Sequence, residues 1–156
     1  MAPPRDIYTR LLYARENKLF GRLAYLLLKL LGAEVPRAVV IGRDVTLEHG
    51  AFGLVIHPNA RLGDRVKIYP GVTLGRADIY RSIQESAFEA IEIGNDVILS
   101  PGCKVLCETG TLRIGHGTIV GANAVLLEST GDGEVWVGVP ARRVGERQGW
   151  LSGPSA

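Results

Sequence analysis

His49, with Glu48 beside it and Glu34 fifteen residues earlier, is where the side chains of this sequence could carry out acid–base chemistry. Imidazole titrates nearest neutrality of all side chains, so it can take a proton from a hydroxyl and later give it back. A carboxylate on one ring nitrogen would fix the tautomer and leave the other nitrogen free. Glu34 falls just before a series of short repeats, and the spacing puts it about one rung, roughly 5 Å, below His49. An ordinary loop histidine and an ordinary helix-end acid fit the same spacing, so the residues alone leave both readings open.

The elements that must position these groups follow from a six-residue period. Aliphatic residues lead each hexad at Val35, Ile41 and Leu47, at Ile56, Leu62, Ile68 and Leu74, at Ile93, Leu99 and Val105, and at Ile114, Val120 and Leu126. Four places after a lead stand Val39, Val45, Ala51, Ala60, Val66, Val72, Val97, Cys103, Thr118 and Ala124, none larger than valine. Neither a helix nor a hairpin has this period. It marks a parallel β-helix, in which three hexads close one coil and successive coils pair as parallel strands roughly 4.8 Å apart. Each coil sends aliphatic side chains to a narrow axis, and only small ones fit beside them.

Breaks in the period show where the scaffold can place chemistry. Nine residues separate Leu47 from Ile56, which extrudes a small loop holding His49, Gly50 and Phe52; His49 cannot point inward because Leu47 holds the axis. Between Leu74 and Ile93 a long excursion, Arg76 to Glu92, leaves the prism and returns. Ahead of the repeats, Asp6 to Leu31 reads as helical, with Ile7, Leu11, Leu12, Leu19, Leu23, Leu26, Leu27 and Leu30 at three- and four-residue spacing and Gly32 as the stop. It reads first as a cap over the first coil; its leucine-rich end keeps peripheral contact with a membrane surface open. The expected organisation is a helical segment over 1–32, a repeat domain over 33–145 and a polar tail over 146–156.

The 156 residues suit one core, and 18 Lys/Arg against 16 Asp/Glu give no strongly basic surface for nucleic acid. Two cysteines, one at a repeat position, are too few for a disulfide framework, so reduced thiols and a cytoplasmic location are expected. The apolar run Leu23 to Leu31 is too short and too charged to span a membrane, and no signal peptide is recognised.

Taken in order, Ala33-Glu34-Val35-Pro36, Ile41-Gly42-Arg43-Asp44-Val45-Thr46-Leu47-Glu48-His49-Gly50, Val66-Lys67-Ile68-Tyr69-Pro70-Gly71-Val72-Thr73-Leu74-Gly75, Ile93-Gly94-Asn95-Asp96 and Gly138-Val139-Pro140-Ala141-Arg142 resemble the hexapeptide acyltransferases. They are most similar to the serine-acetyltransferase-like branch, which includes O-acetyltransferases of polysaccharide biosynthesis. The resemblance implies an all-β, left-handed parallel β-helix with an N-terminal helical cap, assembled as a homotrimer or a dimer of trimers. It implies acetyl-CoA as co-substrate, bound between subunits without a metal. His49 then matches the general base, Glu34 its acidic partner, and Glu48 the acid that helps hold the acceptor. The pantetheine arm would pass Gly75, Pro101 and Ala122, with Arg142 and Arg143 near the nucleotide phosphates.

Two departures bear on the acceptor. Serine acetyltransferases carry an arginine and a second histidine just before the hexad that follows the long loop, where this chain has Glu89 and Ala90. A glutamate there would repel the carboxylate of serine. Tyr80, Arg81, Ser82, Gln84, Glu85 and Phe88 in the excursion suit a sugar, with Arg81 as a binding residue, and equally suit a plain surface insertion. The expectation is therefore an acetyl-CoA-dependent O-acetyltransferase acting on a sugar or glycan precursor, with serine as the alternative acceptor and a non-catalytic β-helix scaffold as the alternative of another class. His57 and His116 read as solvated corner residues, and the three histidines stand at unrelated points of the repeat, which argues against a shared metal.

Overall fold

A computed structural model describes residues 6–150 as a three-faced prism of short strands, closed at its N-terminal end by two helices. With strands numbered along the chain, face A holds β1 (Ala33–Glu34), β4 (Leu54–Ile56), β7 (Thr73–Arg76), β10 (Lys104–Cys107) and β13 (Val125–Leu126). Face B holds β2 (Val40–Ile41), β5 (Ala60–Leu62), β8 (Phe88–Ile93) and β11 (Gly110–Ile114). Face C holds β3 (Thr46–Leu47), β6 (Lys67–Ile68), β9 (Ile98–Leu99), β12 (Ile119–Val120), β14 (Glu134–Gly138) and β15 (Ala141–Glu146). Neighbours are parallel throughout, except that β14 and β15 close face C as an antiparallel hairpin. From β1 to β13 the chain visits A, B and C in turn, so the prism has C–A, A–B and B–C corners.

The hexad lies behind this register. Val55 pairs with Thr73, one uninterrupted coil from 55 to 73. Thr46 instead pairs with Lys67, a longer step that absorbs the turn at His49. The ten small residues named above, from Val39 to Ala124, are all buried, and so are the leads apart from Ile41, which is half-buried on β2 at the open edge of face B. Leu54, Ile91, Cys107, Leu112 and Trp136 complete the core at places where the hexad pattern is broken. One interruption escaped the sequence reading: Glu108 and Thr109 form a short turn between β10 and β11. The long excursion is also shorter than Arg76 to Glu92, because Phe88–Ile93 is already a strand paired with β5 and β11.

The expected helical run divides into α1 (Ile7–Ala14) and α2 (Gly21–Leu30). Asn17 causes the break: its Oδ1 accepts from the Leu19 and Phe20 amides at 2.8 and 3.1 Å, offering the backbone an alternative to the helix. Gly21 then approaches the preceding turn so closely that a Cβ there would lie 2.3 Å from the Arg15 carbonyl oxygen. Arg15 itself is wholly buried and donates to the carbonyls of Pro36, Arg37 and Val39 at 3.1, 3.2 and 2.8 Å. The guanidinium thus pairs with carbonyls at the start of the first coil, the end that no preceding coil covers. Burial holds the Arg15 pKa below its ordinary value. At the other end Arg147 donates to the carbonyls of Asp96 and Gly117 at 2.8 and 3.2 Å.

Both cysteines are free and buried, and burial pushes the Cys103 thiol up to about 12. A second buried charge anchors the excursion. Arg76 Nε donates to Asp78 Oδ1 at 2.8 Å, and its Nη2 donates to the carbonyls of Asp78 and Arg81, both at 3.0 Å. The Ser86 hydroxyl and the Arg76 guanidinium hold the Asp78 carboxyl below the usual carboxylate range.

Two outcomes follow from this construction. Leu99→Ala, at the axis, should lower unfolding free energy by about 2–5 kcal/mol in a denaturant titration, whereas Val40→Ala, on the outside of β2, should change it by less than about 0.5 kcal/mol. Because the Asp78 pKa is depressed on folding, the unfolded chain binds the proton more readily, so the anchor is intact above the ordinary carboxylate pKa and lost as pH falls through the depressed one. Hydrogen exchange of the amides of residues 77–87 should therefore accelerate on the acid side relative to β9, and Asp78→Asn should remove that difference in pH dependence.

Candidate active site

Leu47 is buried on the axis, and the chain then turns tightly through Glu48–Ala51 at the C–A corner. His49, Gly50 and Ala51 all adopt left-handed backbone, with φ of +52°, +75° and +44°. Two of these are not glycine, and such conformations cost on the order of 1–3 kcal/mol each. Surrounding contacts hold them: Ala51 fills a core position, and a Cβ on Gly50 would come 2.7 Å from the Tyr8 ring on α1. The strained turn throws His49 outward into solvent, its ring centroid 6.1 Å from that of Tyr69. Thr46 Oγ1 donates to Glu48 Oε1 at 2.8 Å, which holds that carboxylate back along β3.

Glu34 sits on β1, paired with Val55 of β4 on face A, but its carboxylate is engaged elsewhere. It accepts from Lys29 Nζ at 2.7 Å and from the Tyr25 hydroxyl at 3.5 Å. No hydrogen bond joins it to His49 among the described residues, so the expected dyad is not assembled in the single chain. The reason is local: Lys29 lies in the last turn of α2, a few residues from Glu34, and reaches it first.

Above His49 the C–A corners stack into a column. The Gly71 amide donates to the Phe52 carbonyl at 2.8 Å, Gly102 to Pro70 at 2.8 Å and Asn123 to Pro101 at 2.9 Å. Phe52, Pro70, Pro101 and Ala122 therefore follow one another up the edge as an apolar ledge, with Phe52, Pro101 and Ala122 exposed. Lys104 Nζ braces it by donating to the carbonyls of Gly71 and Gly102. The ledge brings two of the expected binding positions, Pro101 and Ala122, into line with His49. The Pro101 carbonyl is already taken by Asn123, which leaves its ring as the surface a ligand would meet.

Other expected positions lie elsewhere. Gly75 is at the end of β7 and Arg81 in the excursion, both toward the A–B corner, so one face of the prism separates them from His49 within a chain. The Arg81 guanidinium lies 5.4 Å from the Tyr80 ring centroid and has no carboxylate partner among the described residues. Arg142 and Arg143 stand on β15, at the far edge of face C from β3. Both are neutralised, Arg142 by Glu128 at 3.3 Å and Arg143 by Glu134 at 3.1 Å and Glu146 at 3.0 Å. Glu89 accepts from Thr111 Oγ1 at 3.1 Å on face B, beside Ala90.

His57, expected to be a solvated corner residue, is instead half-buried. It packs edge-on against Phe88 with centroids 4.7 Å apart, at the base of the excursion, and its Nδ1 accepts from the Asn59 amide at 3.1 Å. Burial and the nearby Arg76 charge lower its pKa. The signal available in the sequence was that one coil forward from Ile56 is Leu74, where the repeat is left. His116 stays at a third corner, B–C, with Nδ1 accepting from the Asn95 amide at 2.8 Å. The three imidazoles thus stand on three different edges of the prism.

No protein-family model matches the chain. It is 35% identical over 144 residues to the serine acetyltransferase of Mycobacterium tuberculosis, covering 92% of this chain and 59% of that protein. It is 33% identical over 136 residues to the serine acetyltransferase of Staphylococcus xylosus, covering 82% and 59%. Among solved structures, the serine acetyltransferase of Vibrio cholerae superimposes with a TM-score of 0.73 at 27% identity, over 91% of this chain and 55% of that one. The coenzyme A complex of the Brucella abortus enzyme gives 0.70 at 26% identity, over 90% and 54%. The chain thus spans little more than half the length of these relatives. Sequence and fold agree: across the residues matched, the chain is a left-handed β-helix similar in sequence to the hexapeptide-repeat serine acetyltransferases.

Proposed function

We propose that the chain is an acetyl-CoA-dependent O-acetyltransferase whose acceptor is the hydroxyl of L-serine. The observation that carries this reading is an exposed histidine, held in strained left-handed backbone, at the foot of an apolar ledge on the edge of a serine-acetyltransferase-like prism. The ledge of Phe52, Pro101 and Ala122 suits a pantetheine arm, and Arg142 and Arg143, five strand spacings or roughly 24 Å from β3, suit the nucleotide phosphates once they exchange carboxylate partners for them. An acetyl thioester supplies the activated acyl group. His49 accepts the proton of the acceptor hydroxyl as that oxygen attacks the thioester carbonyl, and it returns the proton to the departing thiolate. Glu48 holds the acceptor, and Glu34, when released from Lys29, orients the imidazole. Fixing both substrates at one rigid corner supplies much of the rate.

Arg81 offers serine what Glu89 and Ala90 do not: a guanidinium free to pair with the acceptor carboxylate. It lies toward a different corner from His49, so the two meet one substrate only across a subunit boundary, as a homotrimer would bring them together, alone or as a dimer of trimers. A sugar acceptor is the second reading, favoured by Glu89 and by the exposed Tyr80; the named relatives support serine more directly. Two buried, unpaired cysteines fit a reducing cytoplasmic compartment.

The test is thiol release from acetyl-CoA with L-serine, simple sugars and nucleotide sugars as acceptors. His49→Ala should cost at least about 100-fold in kcat/KM while leaving the melting temperature unchanged, and Glu34→Gln should cost less. Arg81→Leu should raise KM for serine with little effect on kcat. Full activity in His49→Ala removes the assigned base. A response to sugars alone moves the acceptor to a glycan precursor, and silence across the panel without acetyl-CoA binding leaves a scaffold.

A further inference from the structure

Helix α2 is built with its apolar residues on the side that faces away from the protein. The residues it buries are Gly21, Ala24 and Leu28, two of them small. Leu23, Leu26, Leu27 and Leu30, at the i, i+3, i+4, i+7 spacing of a single helical face, all point to solvent, with Leu23 57% and Leu30 83% exposed. Leu19 and Phe20 extend the same exposed surface at the start of the helix. A soluble cap would place these leucines inward and its polar residues outward.

The charge around this face is also uneven. Residues 7–31 carry five Lys/Arg against the single Glu16, whereas the whole chain carries 18 Lys/Arg against 16 Asp/Glu, so the rest of the molecule is net acidic. Arg10, Lys18, Arg22 and Lys29 are exposed, Arg22 and Lys29 flanking the leucine ridge along one side. A second copy of the same face would set Lys18 and Arg22 against their own kind with no carboxylate on the ridge to receive them. Anionic headgroups would receive them. None of the described helices is long and apolar enough to cross a membrane, and α2, with ten residues, spans only about 15 Å.

We propose that the cap docks on an anionic lipid surface, with α2 lying in the plane of the headgroups, Leu23, Leu26, Leu27 and Leu30 in the acyl boundary, and Lys18 and Arg22 on the lipid phosphates. This assignment is independent of the acceptor chemistry. The prism then stands away from the membrane, its net acidic remainder held off the anionic surface.

Co-sedimentation of the full chain with sucrose-loaded vesicles tests it. Wild type should partition onto phosphatidylcholine–phosphatidylglycerol vesicles and much more weakly onto phosphatidylcholine alone. Leu23→Gln/Leu30→Gln should lower that partition at least about tenfold with an unchanged circular-dichroism melt, since both side chains are outside the fold. Lys18→Gln/Arg22→Gln should abolish the preference for the anionic lipid. A Phe20→Trp reporter should shift to the blue on addition of anionic vesicles. Failure of wild type to bind these vesicles overturns the proposal, as does undiminished binding of the double leucine variant. Self-association in ultracentrifugation that the leucine variant abolishes, without vesicle binding, assigns the ridge to a second copy and overturns it too.

Discussion

Everything in this molecule is subordinate to the width of the prism axis. Each coil must place its aliphatic leads and their small partners in one cross-section, and a protein interior tolerates neither voids nor excess volume there. Ala51, Ala60, Cys103 and Ala124 are small because a large neighbour already fills the axis at their level. Once the inward positions are fixed, register between coils is fixed with them, because a slip of one residue would turn every lead outward. The outward positions and corners are then free to carry chemistry. This is why the histidine of interest lies in a corner turn whose Ala51 is held by the axis while its own side chain points out to solvent.

The two ends solve a different problem, that of open strand edges. At the N-terminal end, burying a guanidinium with three carbonyl acceptors is an unusual choice, since desolvating a charge is expensive unless its hydrogen bonds are met. It also explains why the cap is so firmly placed: α1 brings Tyr13 as well, whose hydroxyl donates to the Gly42 carbonyl and accepts from the Val45 amide, both at 2.8 Å. With α1 anchored in this way, α2 needs only three buried residues to stay in position. Its outward face is released from any packing duty. At the C-terminal end an antiparallel hairpin replaces the coil, and Trp136 fills the axis where the hexads run out.

The hexads made the fold legible to an unusual degree, because Ile56, Leu62, Ile68 and Leu74 each occupy a place that only one architecture explains. Local hydrogen bonding was less legible: the apolar spacing from Ile7 to Leu30 reads as one helix, and only the Asn17 side chain, acting on two amides, divides it. The early return of the chain at Phe88 was hidden for another reason, since Phe88 and Ala90 are only half-buried and fall outside the hexad positions. At the candidate site, His49 was visible as a break in the period, and its left-handed backbone agrees with that reading. The partnership with Glu34 depended on which cation lies nearest in space, and Lys29 is four residues beyond Tyr25 on a helix whose orientation the spacing did not reveal. The half-burial of His57 depends on Phe88, which reaches it from the next coil.

The stacked C–A corners have a metric consequence. Each added coil lengthens the ledge by a fixed increment of about 4.8 Å, set by backbone pairing and indifferent to side-chain identity. An extended molecule lying along it is therefore gauged in whole coils, as by a ruler with coarse divisions. Lineages built on this prism can retune what fits at the far end by inserting or deleting one turn of the spiral, while the residues at His49 stay untouched.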